Sequence, residues 1–130
     1  MFASSFDYEH RQGDLHVDSD TDGIVAVCVQ GDFDVANVSA LRDQVDEALA
    51  SGDDLILDLS EATFIDSSVI RVLFDAARTV RGREQNLVLQ LGTAPIVERA
   101  LTIAGIERVV PRAHDRDEAL RMIRRERAAV

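Results

Sequence analysis

Three consecutive residues, Asp66-Ser67-Ser68, place a carboxylate and two hydroxyls between an apolar pair, Phe64-Ile65, and a run that is apolar at Val69, Val72, Leu73, Ala76 and Val80. That recurrence is the spacing of one helix face, so the triplet stands at a helix start. The first N–H groups of a helix lack intrahelical partners and carry the positive end of its dipole. Such a position suits a carboxylate cap, and it suits a phosphate still better. Ser67 is therefore a candidate phosphate acceptor, with Asp66 and Ser68 as its immediate surroundings. A second acidic pair, Asp32 and Asp34, follows another apolar run at residues 24–30. If both runs are parallel strands, both acidic groups lie at carboxyl ends, where the sites of open α/β sheets gather.

Two chemistries fit this set. In the first, Asp66 itself accepts the phosphoryl group while Asp32 and Asp34 hold Mg²⁺, as in a receiver domain; Thr93 after a later strand supplies the expected hydroxyl. That chemistry also needs a Lys against the acyl phosphate, and the chain contains none, every basic residue being Arg or His. In the second, Ser67 accepts phosphate from an external kinase. The added charge, roughly two negative units, then meets Asp34 and Asp66 and disfavours a partner that accepts the neutral hydroxyl.

The elements that position these residues alternate. Leu15-His16-Val17 reads as a short strand, and Asp22-Gly23 as a hairpin turn into the apolar strand 24–30. Asp18, Asp20 and Asp22 begin like a calcium loop, but the position of its bidentate Glu is taken by Val29, so a plain turn is the reading. Val38, Leu41, Val45 and Leu49 predict a helix to residue 50, capped by Asp34 or Asn37 and closed near Gly52. A strand follows at 55–59, then the helix from about Ser68 to Arg81, a strand at 86–91, and a helix opened by Pro95 and closed by Gly105. Val109-Val110 reads as a short last strand, and Asp115 with Glu118 as the cap of a final helix. On the helix after Ser67, Ile70, Phe74 and Ala77 form a second apolar stripe, either a wider core contact or a docking surface. A hairpin followed by alternating helices and strands predicts one α/β domain with a mixed sheet of four to five strands and about four helices.

Composition narrows the function. The chain has 130 residues, 46% hydrophobic and 29% charged, enough for a globular core without disulfides or metals. Its net charge of −10 argues against nucleic acid and anionic membrane as partners, since both require a basic face. The single Cys28 lies in an apolar strand and reads as a small buried hydrophobe. His10, His16 and His114 are scattered, and no nucleophile elbow, P-loop or dinucleotide fingerprint is present, so neither an enzyme nor a cofactor or metal is expected. The first residues lack a signal-peptide pattern and no apolar run reaches membrane-spanning length, which predicts a cytoplasmic protein.

Two segments resemble the STAS domains of the anti-sigma factor antagonist family. Val29-Gln30-Gly31-Asp32-Phe33-Asp34, followed by the helix of Val38 and Leu41, is similar to that family's G-E-L-D segment. Leu57-Asp58-Leu59-Ser60 followed by Phe64-Ile65-Asp66-Ser67-Ser68 is similar to its D-L-S and F-I-D-S-S segments. The resemblance implies a single STAS-type domain over 15–125, with a polar arm at 1–14 and a tail at 126–130. It implies binding to an anti-sigma factor that is also a serine kinase, phosphorylation at Ser67, and reset by a phosphatase. The expected docking residues are Val69, Ile70, Arg71 and Phe74, on a monomer or weak dimer. Where the family commonly has glycines, this chain has Val69 and Arg71, which add bulk and charge at the docking edge. The alternative expectation is a STAS interaction or scaffold module that is not phosphorylated.

Overall fold

The computed structural model describes residues 13–19 and 22–129. His10, Asp20 and the predicted arm up to residue 12 lie outside the described residues. Among those described, five strands form one sheet in the order β1-β2-β3-β4-β5. They are β1 (Asp14–Ser19), β2 (Ile24–Phe33), β3 (Asp54–Ile65), β4 (Leu87–Gln90) and β5 (Arg112–Ala113). β1 pairs antiparallel with β2 across the turn containing Gly23, and the other pairings are parallel. The helices are α1 (Val38–Ala50), α2 (Ser67–Val80), α3 (Pro95–Ala104) and α4 (Arg116–Ala128). This is the mixed α/β sheet and N-terminal hairpin that the alternation predicts.

Strand order equals chain order, so each right-handed crossover advances the sheet in one direction and lays its helix on the same face. α1, α2 and α3 accordingly bury Leu41, Val45, Val72, Leu73, Val97 and Leu101 against Val27, Leu57 and Leu89. The opposite face carries Ile24, Ala26, Cys28, Ile56 and Val88, packed against Ala119 and Ile123 of α4. Central strands apolar on both faces are what a doubly covered sheet requires.

Three boundaries differ from expectation. β3 does not end at residue 59 but continues to Ile65, paired with an equally extended β2, through shifts of register near Cys28–Gln30 and Gly31–Asp32. Gly31, at φ 79°, supplies backbone that a residue with a side chain resists. Val109-Val110 is not a strand. After Gly105 closes α3 in the left-handed conformation, a 3-10 turn (Ile106–Arg108) directs the N–H groups of Arg108, Val109 and Val110 to the carbonyls of Gly105 and Ile106. Those groups are then lost to the sheet, and pairing resumes at Arg112. Finally, the last helix runs to Ala128, past the domain limit expected at residue 125.

α4 is fastened at both ends by arginines on buried aspartates of β3. Arg116 Nη2 donates to Asp58 Oδ2 at 2.7 Å, and its Nε to Gln90 Oε1 at 2.8 Å. Arg127 Nε donates to Asp54 Oδ2 at 2.7 Å. Burial pushes the Asp58 carboxyl up, but hydrogen bonds from the Ser60 hydroxyl and amide and from Arg116 outweigh it and hold the group below its ordinary value. Burial, then the charge of Asp58, pushes the neighbouring Cys28 thiol up despite Arg116, which suits a packing role for this cysteine. Asp18 of the would-be calcium loop also turns to Arg116, at 3.4 Å.

Arg116→Ala strands Asp58 and should cost about 2 kcal/mol in urea unfolding. Arg42, the half-buried partner of a half-open Asp75, provides the contrast: Arg42→Ala should cost less, within about 1 kcal/mol. Equal effects would contradict the clamp.

Candidate functional site

β4 accompanies β3 only as far as the pair Asp58–Gln90, whereas β2 and β3 stay paired to Phe33–Ile65. The two strands therefore project together, and in parallel, beyond the rest of the sheet. Their ends deliver Asp32 and Asp34 on one side and Asp66-Ser67-Ser68 on the other. The two acidic groups that the sequence places at strand ends share one end of the molecule.

Each acidic side chain already has a task. Asp32 accepts a hydrogen bond from Thr63 Oγ1 across the strand pair. Asp34 Oδ1 accepts from the Ala36 amide at 2.9 Å, and its carbonyl accepts from the amides of Asn37 and Val38. Asn37 Oδ1 accepts from the Asp34 amide at 2.9 Å, and its Nδ2 donates to the Asp32 carbonyl at 3.0 Å. The turn 34–37 is thus closed by its own polar groups, and neither Asp34 nor Asn37 caps α1 through its side chain. Among the described residues no three His, Cys, Asp or Glu side chains are arranged to hold a metal ion.

Asp66 is the N-cap of α2. Its Oδ1 accepts from the Ser68 hydroxyl, from the Ser68 amide at 2.9 Å and from the Val69 amide at 3.4 Å. Its Oδ2 crosses to the β2–α1 turn and accepts from the Val35 amide at 3.2 Å. Partial burial pushes the carboxyl up, but the hydrogen bonds from Ser68, Val69 and Val35 outweigh it and hold it below the ordinary carboxylate value. The amides at the start of α2 are therefore already occupied: those of Ser68 and Val69 by the carboxylate, that of Ile70 by the Asp66 carbonyl at 3.2 Å. A phosphate meets a capped helix here, with the Ser67 amide left over.

The two serines differ. Ser68 is half-buried and its hydroxyl donates to Asp66. Ser67 is exposed, and among the described residues its side chain has no hydrogen-bond partner. Of the predicted docking residues, Val69 needs correction: it is fully buried in the core under α2 and offers no side chain to a partner. Its position in the main apolar stripe already implied this. Ile70 and Phe74 are half-buried against the core and half-open, while Arg71 is exposed. Ala77, third member of the second stripe, is buried, so that stripe is a wider core contact at one end and a surface at the other.

Thr63 and Val35 went unnoticed in the sequence. Thr63 is the residue skipped between the pairs Gly31–Ala62 and Asp32–Phe64, and only that shift brings its hydroxyl to Asp32. Val35, 77% exposed, carries an apolar side chain on the turn that Asp66 holds. No period in the sequence distinguishes it.

An N-cap of this kind contributes about 1 kcal/mol. Because the folded carboxyl lies below its unfolded value of about 3.9, the contribution is complete above that value and fades as pH falls through the folded one. Urea unfolding of Asp66→Ala should show the full deficit at neutral pH and a narrowing deficit as pH falls below the ordinary carboxylate range. A deficit that is constant with pH would contradict the charged cap.

Known proteins share this architecture. A family model of the STAS domain matches residues 18–119. BtrV of Bordetella bronchiseptica, named as a candidate anti-sigma factor antagonist, is 29% identical over 99 residues, which cover 75% of this chain and 84% of that protein. An anti-sigma factor antagonist from Mycobacterium paratuberculosis superposes with a TM-score of 0.79 at 24% identity, over 87% of this chain and 95% of the other. The Bacillus cell fate determinant SpoIIAA in its phosphorylated form superposes with a TM-score of 0.66 at 18% identity, over 85% and 99%. At those identities the solved structures speak for the fold. The family model, running from the end of β1 into α4, speaks for the lineage: the chain belongs to the STAS domain family.

Proposed function

We propose that this protein is an anti-sigma factor antagonist, which binds an anti-sigma factor with serine kinase activity and is switched by phosphorylation at Ser67. The observation that carries the reading is the contrast between the two hydroxyls. Ser67 Oγ is exposed and uncommitted, whereas Ser68 Oγ is tied to Asp66. The names of the relative and of the structural neighbours support the antagonist role.

The chain is the substrate in this reading and performs no reaction itself. Ser67 Oγ attacks the γ-phosphorus of ATP, the bond to ADP breaks, and the hydroxyl proton leaves to a base of the kinase. The product places roughly two negative charges beside Asp66, and near Asp34 on the turn that Asp66 holds. A partner whose surface accepts a neutral hydroxyl is thereby repelled. Ile70, Arg71 and Phe74 form the docking edge, with Val69 contributing only its place in the core. A phosphatase restores the neutral serine. A cytoplasmic monomer or weak dimer fits this role. Nucleic acid and anionic membrane are not partners, consistent with the net charge of −10; no described helix is long and apolar enough to cross a membrane.

A second reading rests on the occupied amides of α2. With Asp66 already capping the helix, the domain is complete without phosphate and serves as a constitutive interaction module.

Incubation with the anti-sigma kinase and ATP should add a single phosphate, mapped by mass spectrometry to Ser67, and Ser67→Ala should abolish it. Phosphate on Ser68, or none, would overturn the switch. Partner binding indifferent to Ser67→Asp would establish the constitutive module instead.

A further inference from the structure

The Asp66 carboxylate joins two segments that are distant in sequence. One oxygen serves the first turn of α2, and the other reaches the Val35 amide on the β2–α1 turn at 3.2 Å. The rest of that turn is closed internally, by Asp34 Oδ1 on the Ala36 amide and by Asn37 on the backbone of Asp32 and Asp34. Among the described residues, the bond to Val35 is the side-chain hydrogen bond that holds the turn against α2. The turn also carries Val35, an apolar side chain that is 77% exposed.

A phosphate on Ser67 competes with Asp66 twice. It is a stronger acceptor for the same amides at the helix start, and it is a like charge on the adjacent residue.

We infer that Asp66 is a positioning residue that relays modification at Ser67 to the β2–α1 turn: phosphate takes over the amides of α2, Asp66 releases Val35, and the turn undocks while keeping its own internal bonds. Phosphorylation then reshapes a second part of the docking surface as well as adding charge to the first. The relay rests on Ser67 as the modified residue, but its geometry is testable without a kinase.

The test uses the full chain with phosphoserine installed at position 67 during translation. Amide exchange of Val35 is measured by NMR relative to that of Ala36, a neighbour in the same electrostatic field whose bond to Asp34 should persist. The ratio should rise about tenfold, as loss of one charge-assisted hydrogen bond implies. In the unmodified chain, Asp66→Asn should raise the same ratio. An unchanged ratio in the phosphoserine form overturns the relay, and it does so even if Asp66→Asn fails to fold. A kinase that leaves Ser67 unlabelled would remove the proposed switch, yet the exchange ratio would still decide whether Asp66 couples the two segments.

Discussion

The candidate site depends on one carboxylate with two directions. Asp66 is delivered by β3, begins α2 and reaches across to the turn that follows β2. Strand pairing already joins the ends of β2 and β3, and Asp66 adds the side-chain bond that ties the turn after β2 to the start of α2. Its hydrogen bonds also hold its charge, since together they outweigh the cost of partial burial. The same bonds sort the two serines. Ser68 is consumed as a donor to the cap, and Ser67 is left facing solvent. A single residue thus specifies the helix start, the position of a neighbouring turn and the identity of the free hydroxyl.

The other aspartates divide the remaining work by face and by burial. Asp54 and Asp58 point to the α4 side of β3, where each meets an arginine and fastens the C-terminal helix. Asp32 and Asp34 stabilise the projecting end of the β2–β3 pair and its turn. A strongly acidic chain therefore uses several of its carboxylates as structural acceptors. The surface at the proposed docking edge is a mixed one, with half-open Ile70 and Phe74 and exposed Arg71 and Val35. Mixed surfaces with an apolar centre and a charged rim are characteristic of protein docking sites.

Much of this was readable from residue order. Alternating apolar runs and helical periodicities forecast the crossovers, and Asp66-Ser67-Ser68 forecast a capped helix start. Periodicity failed where local hydrogen bonding won. Val109-Val110 has strand-like residues, yet the 3-10 turn after Gly105 uses their amides. β3 outlives its apolar run because β2 is equally long and Gly31 absorbs the change of register. Long-range pairs were invisible for a different reason. Nothing local to Asp58 or Arg116 announces their meeting, although an acid inside Leu57-Asp58-Leu59 signals that some cation must be near. The partner contribution expected of Val69 was misjudged because its place in the main stripe and its place near Ser67 gave conflicting cues, and burial decided between them.

In the proposed function, the neutral hydroxyl of Ser67 lies in a docking surface whose affinity collapses on phosphorylation. Calorimetric titration of the anti-sigma partner into the chain carrying serine, and then phosphoserine, at position 67 tests it most directly. Binding to the phosphoserine form should be at least about tenfold weaker, in keeping with uncompensated charge at an interface. Equal affinity for the two forms, with both folded, would contradict it.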